Sequence, residues 1–223
     1  MDANEMQGKQ QVTARRPLGT IFGFAFIVCY ISFTIIAIAQ FPSSVSPLDM
    51  YLSTLGNPDI SPDGAIFYIL GVILGGLAVL LFFIAVYAHY SQHGRRWILI
   101  FGLFAGIING ISILMSGVYP ERVIEINNLT NINVNEHESW SLLIFISLIV
   151  VLLTFGLAFW RMSGTSRWVS LYGFLVCAID VVFLFTFLSD GPGAIMEWFT
   201  VISYLIWVLL VSLDVLKGTR ANR

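Results

Sequence analysis

Asp180 is a carboxylic acid set inside a long apolar run, and of all the side chains it most needs a chemical explanation. An ionised group at the centre of a bilayer costs about 2.5–3.5 kcal/mol on insertion scales, so such a residue faces a bundle interior or a wet cavity. It is either a functional group or a structural hydrogen-bonding partner. His137 and Glu138 stand just before another apolar run. An imidazole there can act as a base, and with the carboxylates it can help hold a cation. These three are the candidates for catalysis. Asn109, Asp49, Ser53 and Glu197 are the candidates for holding a ligand beside them. The expectation is that these groups converge at one end of the molecule. The plainer alternatives are a solvated His137 at a helix mouth and an Asp49 that only faces a helix N-terminus.

Recognised catalytic spacings are missing. The sequence has no Walker loop, no dinucleotide fingerprint, no His-Glu-x-x-His, no Cys-x-x-Cys and no Gly-x-Ser-x-Gly. Lipid chemistry by isolated polar side chains stays open, and so does the question of whether the chain is an enzyme at all. His89 and His93 are four residues apart but have no carboxylate beside them, so no metal site is expected. Cys29 and Cys177 both lie in apolar segments and read as packing residues rather than a disulfide. No cofactor is expected.

The elements that position these residues are set by composition. Of 223 residues 57% are hydrophobic and only 11% charged, against about 25% charged in a soluble domain. Six apolar runs, about 19–41, 65–90, 97–119, 141–160, 168–188 and 197–216, are long enough to cross a hydrocarbon core of roughly 30 Å as helices. They are long and continuous rather than alternating, which favours helices over barrel strands. The fold class is therefore an all-α, six-span membrane bundle, with tails at 1–18 and 217–223. The first run is read as an uncleaved span rather than a signal peptide.

Lys9, Arg15, Arg16, Arg95, Arg96, Arg161, Arg167, Lys217, Arg220 and Arg223 all fall on one side of six crossings, and only Arg122 on the other. Basic residues mark the cytoplasmic side. A cell-membrane protein with both termini in the cytoplasm is expected, its acidic loops and candidate site facing out. The net charge of −2 and the lack of a basic stripe exclude a nucleic-acid partner.

The first outer loop, 41–64, carries Ser46-Pro47-Leu48-Asp49 as a helix start and Gly56 as a stop, with Leu48, Tyr51, Leu52 and Leu55 on one face. A short amphipathic helix is expected there, lying on the membrane surface or tucked between spans. Ser61-Pro62-Asp63 is expected to cap the second span. The second outer loop holds a possible glycosylation acceptor at Asn128 and an alternating stretch, 131–135, that reads as a strand-like lid.

Small residues recur four apart at Gly102, Gly106 and Gly110, with Gly71, Gly75 and Gly76 in the preceding span. Such faces build an internal core or an interface with a second copy or another membrane subunit. Much of the third span returns 71 residues later: Arg96-Trp97, Phe101-Gly102 and Asn109 answer to Arg167-Trp168, Tyr172-Gly173 and Asp180. A parallel pseudo-repeat of helical hairpins explains the echo.

Phe41-Pro42, Ser53-Thr54-Leu55-Gly56, Gly71, Gly117-Val118-Tyr119-Pro120 and His137 resemble motifs of the membrane family catalogued as domain of unknown function 998. A more distant similarity is to the six-helix Frag/DRAM/Sfk group. The resemblance implies a six-helix bundle and no established activity, and the Asn-rich second loop departs from the pattern near His137.

Three functions compete. The first is a bundle that binds or processes a lipid or small molecule through a polar site opening outward. The second is a non-enzymatic accessory or assembly subunit. The third is a proton- or cation-linked carrier working through Asp180.

Overall fold

In hydrocarbon every backbone N–H and C=O must be satisfied within the protein, and a continuous apolar run does this as a helix. The computed structural model describes residues 17–91, 96–121, 136–162, 164–189 and 193–221. It contains six long helices: α1 (Leu18–Ala39), α2 (Ala65–Tyr90), α3 (Arg96–Val118), α4 (Glu136–Arg161), α5 (Arg167–Leu188) and α6 (Gly193–Ala221). All six are long and apolar enough to cross a membrane. Their outward faces are rich in exposed Ile, Leu and Phe, the reverse of a surface made for water. This is an integral membrane protein.

Each helix packs against the next, and α1 also packs against α6, so the bundle closes into a ring. Consecutive helices run antiparallel. The start of α1 and the end of α6 therefore share one end of the bundle, and the loop 40–64 lies at the other. We call these the terminal end and the loop end.

The ring can close tightly because glycines admit the neighbouring backbone. A Cβ on Gly110 would lie 2.7 Å from Leu80 Cβ and 2.9 Å from its Cα, while one on Gly76 would lie 2.5 Å from the Leu114 nitrogen. The two contacts are reciprocal and hold α2 to α3 almost backbone to backbone. The expected small-residue faces are thus occupied within this chain: Gly71 meets Phe33 and Gly106 meets Phe83.

The terminal half of the ring is filled by aromatic side chains. Phe83, Phe155 and Trp207 are fully buried, with ring centroids 5.7 to 6.5 Å apart. Tyr204 continues this cluster at 6.3 Å from Trp207. Below it Asp214 accepts from the Tyr90 hydroxyl at 2.7 Å and from the Ser166 amide at 3.3 Å. Asp214 thereby ties α2, α6 and the N-terminus of α5 together. His89 packs edge-on against Tyr90 at 4.7 Å. No group of three potential metal ligands occurs among the described residues, and His93 lies outside them.

The echo between α3 and α5 is visible in space. Asn109 and Asp180 each stand thirteen residues into their helix, roughly 20 Å from the terminal end at 1.5 Å per residue. Gly102 receives Phe155 from α4, and Gly173 receives Trp207 from α6.

Two local expectations come out differently in detail. The short helix of the first loop is present, but as a 3-10 helix, Leu52–Gly56, that follows a turn rather than starting at Ser46. Leu52 and Leu55 are buried as their spacing implies, while Leu48 is 71% exposed. The second span has Gly64 at its N-cap with no side-chain cap. Neither Ser61 nor Asp63 fills that role: Asp63 is exposed, and the buried Ser61 hydroxyl has no partner among the described residues.

Candidate functional site

The loop half of the ring is hollow where the terminal half is filled. A wide cavity of about 340 Å³ and a narrow one of about 70 Å³ share Ser53, Glu121, His137, Ser141, Phe145 and Glu197 in their walls. They are two arms of one site. The narrow arm runs inward past Tyr30, Tyr68, Thr200 and Tyr204, ending where the aromatic fill begins. The wide arm spreads toward α5 past Phe183 and Phe187.

His137 is placed by the first turn of α4 and is buried. Its Nδ1 lies 3.2 Å from the Ser116 carbonyl and 2.9 Å from that of Tyr119. Carbonyls only accept, so Nδ1 carries the hydrogen and donates to them. The bland expectation of a solvated His137 is not what the structure shows: the C-terminus of α3 fixes the ring at the cavity wall. Ser141 follows one turn later on the same face of α4, at the spacing that makes side chains neighbours.

Glu197, at the start of the second turn of α6, accepts from the Leu52 amide at 2.6 Å and from the amide and hydroxyl of Ser53. Beside it Trp198 Nε1 donates to the Met50 carbonyl at 3.0 Å. Together they pin the first loop across the mouth of the bundle, so that Ser53 and Gly56 form part of the cavity wall. Glu121 accepts from the Thr54 hydroxyl at 3.4 Å and faces both arms. Glu138 is exposed and lines only the wide one.

The remaining expected residues do not join them. Asp49 is exposed on the outer turn and lines neither arm. Asn109 is fully buried and fully used: its amide group donates to the Ile144 carbonyl at 2.9 Å and the Ser147 hydroxyl at 3.2 Å, and its oxygen accepts from Tyr204 at 3.0 Å. It reaches the cavity through Ile144 and Tyr204, which both line the narrow arm. Asp180 is fully buried and lines neither arm. It stands one turn deeper than Phe183, which packs against Phe145 at 4.4 Å, and within Coulombic reach of Cys177 and Tyr204. Neither of its oxygens has a hydrogen-bond partner among the described residues. Asn128 and the stretch 131–135 lie outside those residues.

Several wall residues were not picked out in the sequence. Tyr30 and Tyr68 touch hydroxyl to hydroxyl at 3.1 Å, from helices one and two. Thr200, on α6, has a fully buried hydroxyl with no partner among the described residues. Their signal was a polar atom on the inward face of an apolar helix, which becomes legible only once that face is known.

An all-α, six-span bundle with a buried polar cavity at its loop end is the class these elements define. The family described as "Protein of unknown function (DUF998)" matches residues 24–214, and the chain belongs to that family. No curated protein and no solved structure matches the chain. Most of the short motifs read in the sequence meet at one place: Ser53 and Gly56, Gly117 and Pro120, and His137 all line the narrow arm.

Proposed function

We propose that this protein binds a lipid or an amphiphilic small molecule in the loop-end cavity, which opens to the outside of the cell membrane. One observation carries the reading. The ionisable side chains gather at the mouth, with Glu121, Glu138 and His137, and the depth is mainly apolar, with Phe26, Val72, Ile113 and Leu148 beside the hydroxyls of Tyr30, Tyr68 and Thr200. A molecule with a polar head and an apolar body matches that gradient, and the wide arm is within the 300–1,000 Å³ common for ligand sites. The basic residues at the opposite end support the outward orientation.

The test is native mass spectrometry of the full chain extracted in a gentle detergent. The unaltered protein is expected to retain a bound mass. Ser141→Phe, which fills the junction of the two arms, is expected to lose that mass while keeping the melting temperature within a few degrees. Equal retention by both proteins, or by neither, contradicts the proposal.

A second reading rests on Asp180. A buried acid with no hydrogen-bond partner among the described residues is where a carrier would take up a proton or a cation. Proton-coupled flux across vesicles holding the protein should vanish in Asp180→Asn if this is correct. If vesicles with the unaltered chain show no flux, the carrier reading fails.

A further inference from the structure

The walls of the wide arm specify the charge of what it binds. Four aromatic rings line it: Tyr51, Phe145, Phe183 and Phe187. Phe183 is the centre of this wall, 4.4 Å from Phe145 and 6.0 Å from Phe187 between centroids. Aromatic faces carry negative quadrupole charge and attract ammonium groups, most strongly where water is excluded. The same arm holds the carboxylates of Glu121 and Glu138, while that of Glu197 is already engaged by the first loop. Among the described residues no Lys or Arg lines either arm. A phosphate or sulfate head would meet these carboxylates and ring faces, with no cation among the described wall residues to balance it.

The narrow arm adds hydrogen-bonding capacity. Thr200 Oγ1 is buried without a partner among the described residues. The Tyr30–Tyr68 pair has two hydroxyl protons, and their 3.1 Å contact uses one. A buried polar group left unsatisfied costs about 1–3 kcal/mol, so an oxygen placed beside these hydroxyls would be held.

We infer that the site takes a long-chain ammonium amphiphile. Its cationic head rests against the aromatic wall between Glu121 and Glu138, and its neighbouring segment enters the narrow arm beside Thr200 and the tyrosine pair. This rests on the cavity being a binding site and adds the chemical class of its ligand. Anionic amphiphiles of equal chain length are discriminated against by charge.

The experiment uses three photo-crosslinking probes with the same dodecyl chain and a trimethylammonium, a sulfate or an uncharged glycol head. They are added to the full-length protein in dodecyl maltoside micelles. The trimethylammonium probe should label the 141–148 segment saturably, at least about tenfold more tightly than the sulfate probe, and Glu121→Gln/Glu138→Gln should weaken it by about tenfold. Ser141→Phe should block all three probes. Equal or tighter saturable labelling by the sulfate or glycol head overturns the ammonium assignment and leaves the cavity reading standing, as does an unchanged affinity in the double variant. No saturable labelling by any head overturns the cavity reading itself. The comparison of heads on the unaltered chain decides the matter even where the double variant does not fold.

Discussion

The amide of Leu52 donates a 2.6 Å hydrogen bond to Glu197, 145 residues further along the chain. This contact makes the first loop a wall of the cavity rather than a tether between spans. Hydrogen bonds to charged groups contribute about 1.5–3 kcal/mol each. Glu197→Gln brings an amide NH₂ against the same backbone donors. Hydrogen exchange at Leu52 and Ser53 should speed up by roughly tenfold or more, a change equal to about 1.4 kcal/mol, while α2 and α3 keep their protection. Unchanged exchange in the loop would mean that burial of Leu52 and Leu55 holds it without the carboxylate.

Asn109 and Tyr204 form the deeper polar link, joining α3, α4 and α6 beneath the narrow arm. Interhelical hydrogen bonds in membrane proteins average about 0.6 kcal/mol and reach about 1.7. A double-mutant cycle with Asn109→Leu and Tyr204→Phe, followed by reversible unfolding in bicelles, should give a coupling energy within that range. Strict additivity would show that the bond contributes nothing to stability.

Gly110 and Gly164 separate two reasons for needing glycine. Gly164 has φ +95° and nothing within 4 Å of an added Cβ, whereas a Cβ on Gly110 meets the backbone of Leu80. Gly164→Ala should cost about 1–2 kcal/mol through its backbone conformation. Gly110→Ala should cost about 1–3 kcal/mol through overpacking, and trimming Leu80 to Ala should not restore it, because Leu80 Cα and N are in the way. A full rescue by Leu80→Ala would contradict the backbone contact. Unfolding midpoints in one detergent check both.

The six helices could be read from the sequence because hydrocarbon leaves a long apolar run few alternatives. The repeat was equally legible, since Arg96 and Arg167 start helices whose thirteenth following residues are Asn109 and Asp180. The two then part company: Asn109 meets Ser147 and Tyr204, while Asp180 meets neither a donor nor the cavity among the described residues. Their shared depth predicted one site, and only the packing around each could separate them.

The first loop shows the opposite limit. Its Ser-Pro-x-Asp start and leucine spacing obey the local rules for an α-helix, but Glu197 on α6 takes the Leu52 amide that a continuous α-helix would bond to the Leu48 carbonyl. Such a long-range competitor leaves no mark on the local pattern. Tyr30, Tyr68, Thr200 and Tyr204 likewise reach one cavity only because α1 closes against α6.

The central claim is that a site reaching Ser141 opens to the outside of the cell. It is tested most directly by thiol accessibility in a chain carrying Cys29→Ala and Cys177→Ala. With Ser141→Cys, a membrane-impermeant maleimide added to intact cells should label the new thiol, and a dodecyl ammonium amphiphile should slow that labelling. With Lys217→Cys, labelling should require permeabilised cells. Labelling at position 217 from outside, or no labelling at position 141 from the outside, would contradict the account.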